Sequence, residues 1–234
     1  GFSVSTAGDF NGDGFSDVIV GAHLNNAGGA GAGRAYIFLG GSNMNNVADV
    51  TLTGAAAGDN FGYSVSHAGD VNGDGFSDVI AGAMMNDGVA TNAGRAYVYF
   101  GGAVLNSVAD VVLNGVSAND FFGQSVSTAG DVNGDGFSDV IAGAPFNDAA
   151  GNESGRAYVF LGGALMNNTA DIIITGAATG DNLGHSVSTA GDINCDGYSD
   201  VIAGAYGNDE AGSAAGRAYV HMGGMNLDNI TDAI

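Results

Sequence analysis

The segment DFNGDGFSD beginning at Asp9 returns as DVNGDGFSD at Asp70 and again at Asp131, and as DINCDGYSD at Asp192, at a constant step of 61 residues. The chain's four basic residues, Arg34, Arg95, Arg156 and Arg217, keep the same step, each within Gly-Arg-Ala-Tyr. Four copies of one unit without a net insertion are expected where every unit packs on near-identical neighbours.

One unit contains four strand-like runs separated by turn residues. In the second copy they are Phe61–Ala68, Asp78–Ala83, Arg95–Phe100 and Ala109–Leu113. All are rich in Val, Ile, Tyr and Phe and bounded by Gly, Asn or Asp. No window carries a sustained helical period. Four antiparallel strands in about 60 residues match a propeller blade, whereas a β-solenoid usually has shorter repeats. Gly and Ala beside the strands suit close backbone approach near a crowded axis. The fold class read from this pattern is an all-β propeller of four-stranded antiparallel blades. The single domain 1–234 then divides into repeats at approximately 1–53, 54–114, 115–175 and 176–234.

Gly1 aligns with Gly62 inside a first strand, and Ile234 with Thr51 inside a fourth. The shortfall from four full units therefore falls between blades. Four blades closing on themselves, or four blades contributing to a larger ring or assembly, both satisfy this. Thr231–Ile234 is expected to form a shortened outer strand whose edge accepts a partner strand. The start at Gly1 instead of Met fits a trimmed mature product.

Composition narrows the function. Against 25 acidic residues stand four arginines and no lysine, a formal charge of −21. Such a field disfavours nucleic acid and anionic membranes as partners. With 45% hydrophobic residues the chain can bury a core, so disorder is not expected. The 43 glycines lack a three-residue period, which excludes collagen. No apolar run approaches the roughly 20 residues that span a bilayer. Cys195 stands alone, so neither an internal disulfide nor a paired zinc motif is available.

The D-x-N-x-D-G-x-x-D segment carries the chemistry. Oxygen donors at positions 1, 3, 5 and 9, a backbone carbonyl at 7, and a Gly at 6 for the sharp reversal can wrap a hard cation. The candidate ligands are Asp9, Asn11, Asp13, Phe15 (carbonyl) and Asp17 in the first copy. Asp70, Asn72, Asp74, Phe76 and Asp78 follow in the second. The third has Asp131, Asn133, Asp135, Phe137 and Asp139, and the fourth Asp192, Asn194, Asp196, Tyr198 and Asp200. The pattern is similar to the first half of an EF-hand loop, but its closing acid comes at position 9 and strands flank it. Calcium, about four ions at one per repeat, is the expected cofactor. Magnesium suits the pattern less because it retains waters and a strict octahedron. Asx-turns without metal would leave three clustered carboxylates per loop uncompensated.

Phe61-Gly62 and Phe122-Gly123 open blades, and Gly143-Ala144-Pro145 follows the third acidic loop. With the aspartate loops and the Gly-Arg-Ala-Tyr strands, this resembles an FG-GAP repeat array of the kind that builds integrin α-subunit propellers. The resemblance covers nearly the whole chain. Leu183 departs from the Phe, one unit alone keeps the Pro, and four units stand where the family usually has seven. The resemblance implies calcium between the first two strands of each blade and extracellular adhesion or recognition through loops on the opposite face.

Other positions are less specific. Cys195 replaces Gly12, Gly73 and Gly134; a requirement for positive φ there would cost roughly 1 kcal/mol. The arginines are expected to brace their blades by pairing with Asp49, Asp110 and Asp171, or with Asp59, Asp120 and Asp181. The loops beginning at His23, Met84, Pro145 and Tyr206 are either contact residues or ordinary turns. His23, His67, His185 and His221 share no repeat position. Asn152, Asn167 and Asn229 fit N-x-S/T, a match that an Asn-rich chain produces by chance.

The resulting expectation is a non-enzymatic, calcium-stabilised binding or adhesion scaffold at the cell surface or outside the cell. Its partner would be an extracellular protein or glycan, or copies of itself. The alternatives are a self-assembling surface filament or layer subunit, and the propeller domain of a secreted hydrolase. A catalytic site should break the repeat with a unique polar cluster, and none stands out.

Overall fold

A computed structural model of the chain describes residues 1–225 and 227–229. They form fifteen strands in four antiparallel sheets, each following chain order from inner to outer strand. The first sheet comprises β1 (Ser3–Gly8), β2 (Asp17–Ala22), β3 (Arg34–Phe38) and β4 (Val50–Thr53). The second comprises β5 (Val65–Gly69), β6 (Asp78–Ala83), β7 (Arg95–Tyr99) and β8 (Val111–Asn114). The third has β9 (Ser125–Gly130), β10 (Asp139–Ala144), β11 (Arg156–Phe160) and β12 (Ile172–Thr175). The fourth shows β13 (Leu183–Gly191), β14 (Asp200–Ala205) and β15 (Arg217–His221). The expected outer strand at Thr231–Ile234 lies outside the described residues. No helix among the described residues is long and apolar enough to cross a membrane.

The strand reading holds with two shifted starts, the smaller being the fourth strand of the second unit, which runs Val111–Asn114 instead of Ala109–Leu113. In the second unit the first strand begins at Val65 instead of Phe61, because Phe61 forms a parallel bridge to Gly33 of the preceding sheet. Phe122 and Leu183 bridge Gly94 and Gly155 in the same way. These side chains are fully buried plugs, each worth roughly 1.5–3 kcal/mol of apolar burial.

Successive sheets stack through their inner strands, β1 on β5, β5 on β9 and β9 on β13. Alternation explains the cores. Ile19, Ala35 and Ile37 face Val79, Ala81 and Tyr97 of the next sheet in one cluster. Ile80, Ala96 and Val98 then meet Val140, Ala142 and Tyr158, and Ile141, Ala157 and Val159 meet Val201, Ala203 and Tyr219. β6 and β10 are therefore buried at every position, whereas β2 and β14 are buried at alternate ones. No comparable packing joins β13 back to β1 among the described residues. Among the described residues the four sheets therefore do not close into a ring.

Each junction is made by backbone touching backbone. A Cβ built on Gly21, Gly82 or Gly143 would overlap the carbonyl oxygen of Gly62, Gly123 or Gly184. Those carbonyls accept hydrogen bonds from Ser3, Ser64 and Ser125 Oγ at 3.0, 2.9 and 2.7 Å. Among the described residues, Gly204, the fourth equivalent, meets only Ser186 of its own sheet.

The arginine expectation needs correction. Arg95 Nε donates to Asn114 Oδ1 at 2.8 Å, and Arg156 Nε to Thr175 Oγ1 at 3.1 Å. Both candidate carboxylate sets are engaged elsewhere. Asp59, Asp120 and Asp181 accept from the Nδ2 groups of Asn86, Asn147 and Asn208, and Asp49, Asp110 and Asp171 accept the Leu39, Phe100 and Leu161 amides. Among the described residues, the one arginine–carboxylate ion pair is Arg217 with Glu210, specific to the fourth unit.

Gly82→Ala should lose about 3 kcal/mol in urea unfolding because the overlapped atom is backbone and cannot rotate away. Gly204→Ala should change stability by no more than about 0.5–1 kcal/mol.

Candidate metal centre

Each acidic loop joins the first two strands of its sheet, at the end opposite the loops that begin at His23, Met84, Pro145 and Tyr206. The ninth-position acids Asp17, Asp78, Asp139 and Asp200 open the second strands and are almost wholly buried. Both carboxylate oxygens hold backbone. Asp17 Oδ2 accepts the Phe10 amide at 2.8 Å, and Oδ1 accepts Gly40 from beyond β3 at 2.7 Å. Asp78 takes Val71 and Gly101, Asp139 takes Val132 and Gly162, and Asp200 takes Ile193 and Gly223. One carboxylate thus staples the start of the acidic loop to the corner after the third strand.

The first-position acids organise the loop itself. Asp9 accepts the Asp13 amide on Oδ1 at 3.0 Å and the Gly14 amide on Oδ2 at 2.9 Å. Asp70, Asp131 and Asp192 do the same with Asp74 and Gly75, Asp135 and Gly136, and Asp196 and Gly197. Asn11 Oδ1 also accepts the Asp13 amide, while its Nδ2 donates to Asp13 Oδ2 at 2.9 Å. Asn72, Asn133 and Asn194 repeat that donation to Asp74, Asp135 and Asp196. Asp13 Oδ1 accepts from Phe15, whose carbonyl is the candidate donor.

The electrostatics are those of crowded acids. Burial pushes Asp78 and Asp139 up to about 7, against the two amide bonds each accepts, and the charges of Asp74 and Asp70, or of Asp135 and Asp131, push the same way. Asp17 is raised for the same reasons, with Asp13 and Asp9 as its like-charged neighbours. Asp13, at the surface, is lowered by its bonds from Asn11 and Phe15.

Among the described residues, no group of three or more acidic, His or Cys side chains is arranged to hold a metal. The loops bring the predicted donors to one end of each sheet without assembling a closed carboxylate shell. The donor chemistry fits a hard divalent cation: oxygens alone, three carboxylates and one amide per loop. An oxygen that accepts one amide retains a second lone pair.

Cys195 has φ 61°, beside 74°, 76° and 75° at Gly12, Gly73 and Gly134. The position therefore does require the left-handed region. A second constraint was not legible in the loop: the rings of Phe76, Phe137 and Tyr198 from the next sheet lie where a Cβ on those glycines would fall.

At the other end, the third loop residue is a turn former. Asn25, Asn86, Asn147 and Asn208 accept the amide two residues on at 2.9, 2.9, 3.1 and 3.2 Å. The variable positions cluster as aromatic pairs, Phe2 with His23, Phe121 with Phe146, and His185 with Tyr206. Phe121 holds φ 53° where the equivalent residues are Asn60 and Asn182, an outlier for a bulky side chain. Sequence reading missed it because its neighbour Phe122 carries the repeat.

A stack of small antiparallel blades, each with an acidic loop between its first two strands, defines the class, and the chain belongs to the FG-GAP repeat family. The family profile matches residues 1–38, 61–99, 122–160 and 183–221. The chain is similar to integrin alpha-5 of Xenopus laevis, with 31% identity over 232 residues, 94% of this chain and 21% of that protein. It is also similar to integrin alpha-PS2 of Drosophila melanogaster, with 32% identity over 226 residues, 90% of this chain and 15% of the relative. Integrin alpha-V of Gallus gallus is 30% identical over 227 residues, 90% of this chain and 20% of that protein. The chain thus spans about a fifth or less of these relatives.

Asp78→Ala should cost about 2–5 kcal/mol in urea unfolding in the presence of a chelator, because the Val71 and Gly101 amides lose a buried acceptor. A loss below about 1 kcal/mol would show that the staple is dispensable.

Proposed function

We propose that the chain is a calcium-stabilised extracellular adhesion scaffold in which cations at the acidic loops hold the blades and the opposite loops contact an extracellular protein or glycan. The observation that carries this reading is the fourfold acidic loop whose buried ninth acid ties two backbone corners. A divalent cation there would offset the charge that burial and neighbouring carboxylates make costly. Asp9, Asn11, Asp13, the Phe15 carbonyl and Asp17, with their equivalents at each 61-residue step, would hold it. Its role would be electrostatic and structural. Similarity to integrin alpha subunits supports adhesion and a cell-surface or extracellular location. The non-enzymatic reading is supported by polar geometry that recurs in every unit instead of gathering in one. The repeats bounded at about 1–53, 54–114, 115–175 and 176–234 would act as one domain.

Titration calorimetry should find about four calcium ions per chain, and Asp74→Asn should remove one while leaving the fold intact. At a hundredfold excess over Kd, each site should add about 2.7 kcal/mol of stability. An unchanged melting temperature on moving from calcium to EDTA would refute the cation. Surfaces coated with the chain should support cell attachment in calcium and lose it in EDTA; calcium-independent attachment would refute the coupling of adhesion to the loops.

A further inference from the structure

The third blade departs from the repeat at one corner of the end opposite the acidic loops. Phe121 stands where the second and fourth blades have Asn60 and Asn182, and Phe146 where they have Met85 and Gly207. Asn119 replaces Gly58 and Gly180, and Glu153 replaces Asn92 and Ala214. Phe121 holds φ 53° and Glu153 φ 55°. Asparagine tolerates the left-handed region, whereas a bulky ring is strained there. Strain of this kind gathers at binding sites. The amide found at this position in the neighbouring blades is also in use: Asn60 Nδ2 meets Met85 Sδ at 2.9 Å, and Asn182 Nδ2 donates to the Pro145 carbonyl at 3.2 Å. The third blade forgoes that contact and accepts the strain for an aromatic ring.

These side chains line one hollow. Phe121 and Phe146 meet edge to face with ring centroids 5.3 Å apart, and Asn119, Asp148, Asn152 and Glu153 complete a cavity of about 240 Å³. An edge-to-face contact covers one ring face of the pair and leaves the others for stacking. Among the described residues, the side chains of Asn152 and Glu153 make no hydrogen bond. Asp148 Oδ1 accepts the Glu153 amide at 2.8 Å, which leaves Oδ2, and Asn119 Oδ1 accepts Asn92 Nδ2 at 3.1 Å, which leaves its own amide hydrogens.

A second hollow of about 330 Å³ adjoins the first across Ala118 and Asp148 and is lined by Ser117, Asn147 and Arg156 among others. The guanidinium is placed there by what surrounds it. In the second blade a Cβ on Gly88 would overlap the Arg95 guanidinium; Ala149 carries that Cβ, so Arg156 cannot lie in the same place. In the fourth blade Glu210 occupies the position and pairs with Arg217. Arg156 has no such partner among the described residues, and Thr175 Oγ1 anchors its Nε at 3.1 Å. The remaining acid of this hollow, Asp120, is held by Asn147 Nδ2 and the Ser117 amide.

We propose that the double hollow of the third blade is a saccharide site that takes a neutral glycan. The choice of ligand follows from the mixture of groups. Asp148 and Glu153 oppose an anion in the first hollow, and Arg156 opposes a cation in the second. A neutral sugar matches both. Its carbon-bound hydrogens pack on the Phe121 and Phe146 rings, and its hydroxyls, each a donor and an acceptor, bond to the carboxylates on one side and to the amide and guanidinium hydrogens on the other. Because the two hollows share the Asp148 wall, one ligand of two or more sugar rings reaches both. This inference rests on the reading of these loops as the contact face, and it assigns that face a ligand class and a blade. It uses no cation-binding side chain.

Saturation-transfer NMR of the full chain should be run with glucose, galactose, mannose and N-acetylglucosamine, and with neutral disaccharides built from them. At least one disaccharide should bind, and more tightly than its component sugars. Phe121→Asn restores the residue of both neighbouring blades; it should weaken that disaccharide by about tenfold or more while the melting temperature holds or rises. Ala149→Glu gives Arg156 the partner that Glu210 gives Arg217, and should weaken binding through the second hollow with the fold retained. Parallel runs in calcium and in EDTA keep the readings apart. Phe121-dependent sugar binding by a chain whose stability ignores EDTA supports the site and refutes the cation alone. If no sugar of the panel binds, the site is overturned, even where coated surfaces still support cell attachment. Binding that survives both substitutions, or an oligoarginine peptide that occupies the Phe121–Phe146 hollow and is displaced by no sugar, would also overturn it.

Discussion

A carbonyl oxygen resting where a side chain would otherwise begin sets the spacing of the whole stack. Gly21, Gly82 and Gly143 are approached by the backbone of the following sheet so closely that the smallest side chain has no room. This approach brings Ile19, Ile80 and Ile141 into contact with the following sheets and buries both faces of the inner ones. Apolar area provides most of the stabilisation, but the glycine contact fixes where along the strands the sheets meet. The serine hydroxyl that bonds the same carbonyl satisfies an acceptor that would otherwise be buried without a partner.

The acidic loops are coupled to these junctions. The Ser77 amide donates to Asp9 carbonyl at 3.1 Å, Ser77 Oγ accepts the Asp9 amide at 3.2 Å, and the Phe76 ring covers Gly12. Each loop therefore leans on the loop of the next blade. Within a blade, the buried ninth acid ties the same loop to the turn after the third strand. Whatever neutralises the loop acids acts on a contact between blades as well as on one hairpin.

The repeat length, strand order and position of the acidic loop were legible because each depends on local pattern: β-branched and aromatic runs, turn residues and a fixed step. Strand edges were read less well where a residue serves two sheets, as Phe61 does in bridging Gly33. The arginine partners were misread because charge complementarity was weighed without competition. Asn86, Asn147 and Asn208 already occupy Asp59, Asp120 and Asp181, and a carboxylate bonded to a buried amide gains little from a half-exposed guanidinium. Cys195 was read for its backbone angle; the ring that covers its equivalents belongs to another repeat and leaves no mark nearby in the chain.

By itself the sequence determined what a blade is: its four runs, the oxygen donors between the first two, and the glycines that permit close approach. These follow from backbone stereochemistry and from periodicities of a few residues. Only the tertiary structure decided how successive sheets pack, inner strand on inner strand, and that β13 does not return to β1 among the described residues. Closure depends on the small rotation between neighbouring sheets, accumulated over the stack. That rotation comes from how whole faces interdigitate, and no single unit spells it out.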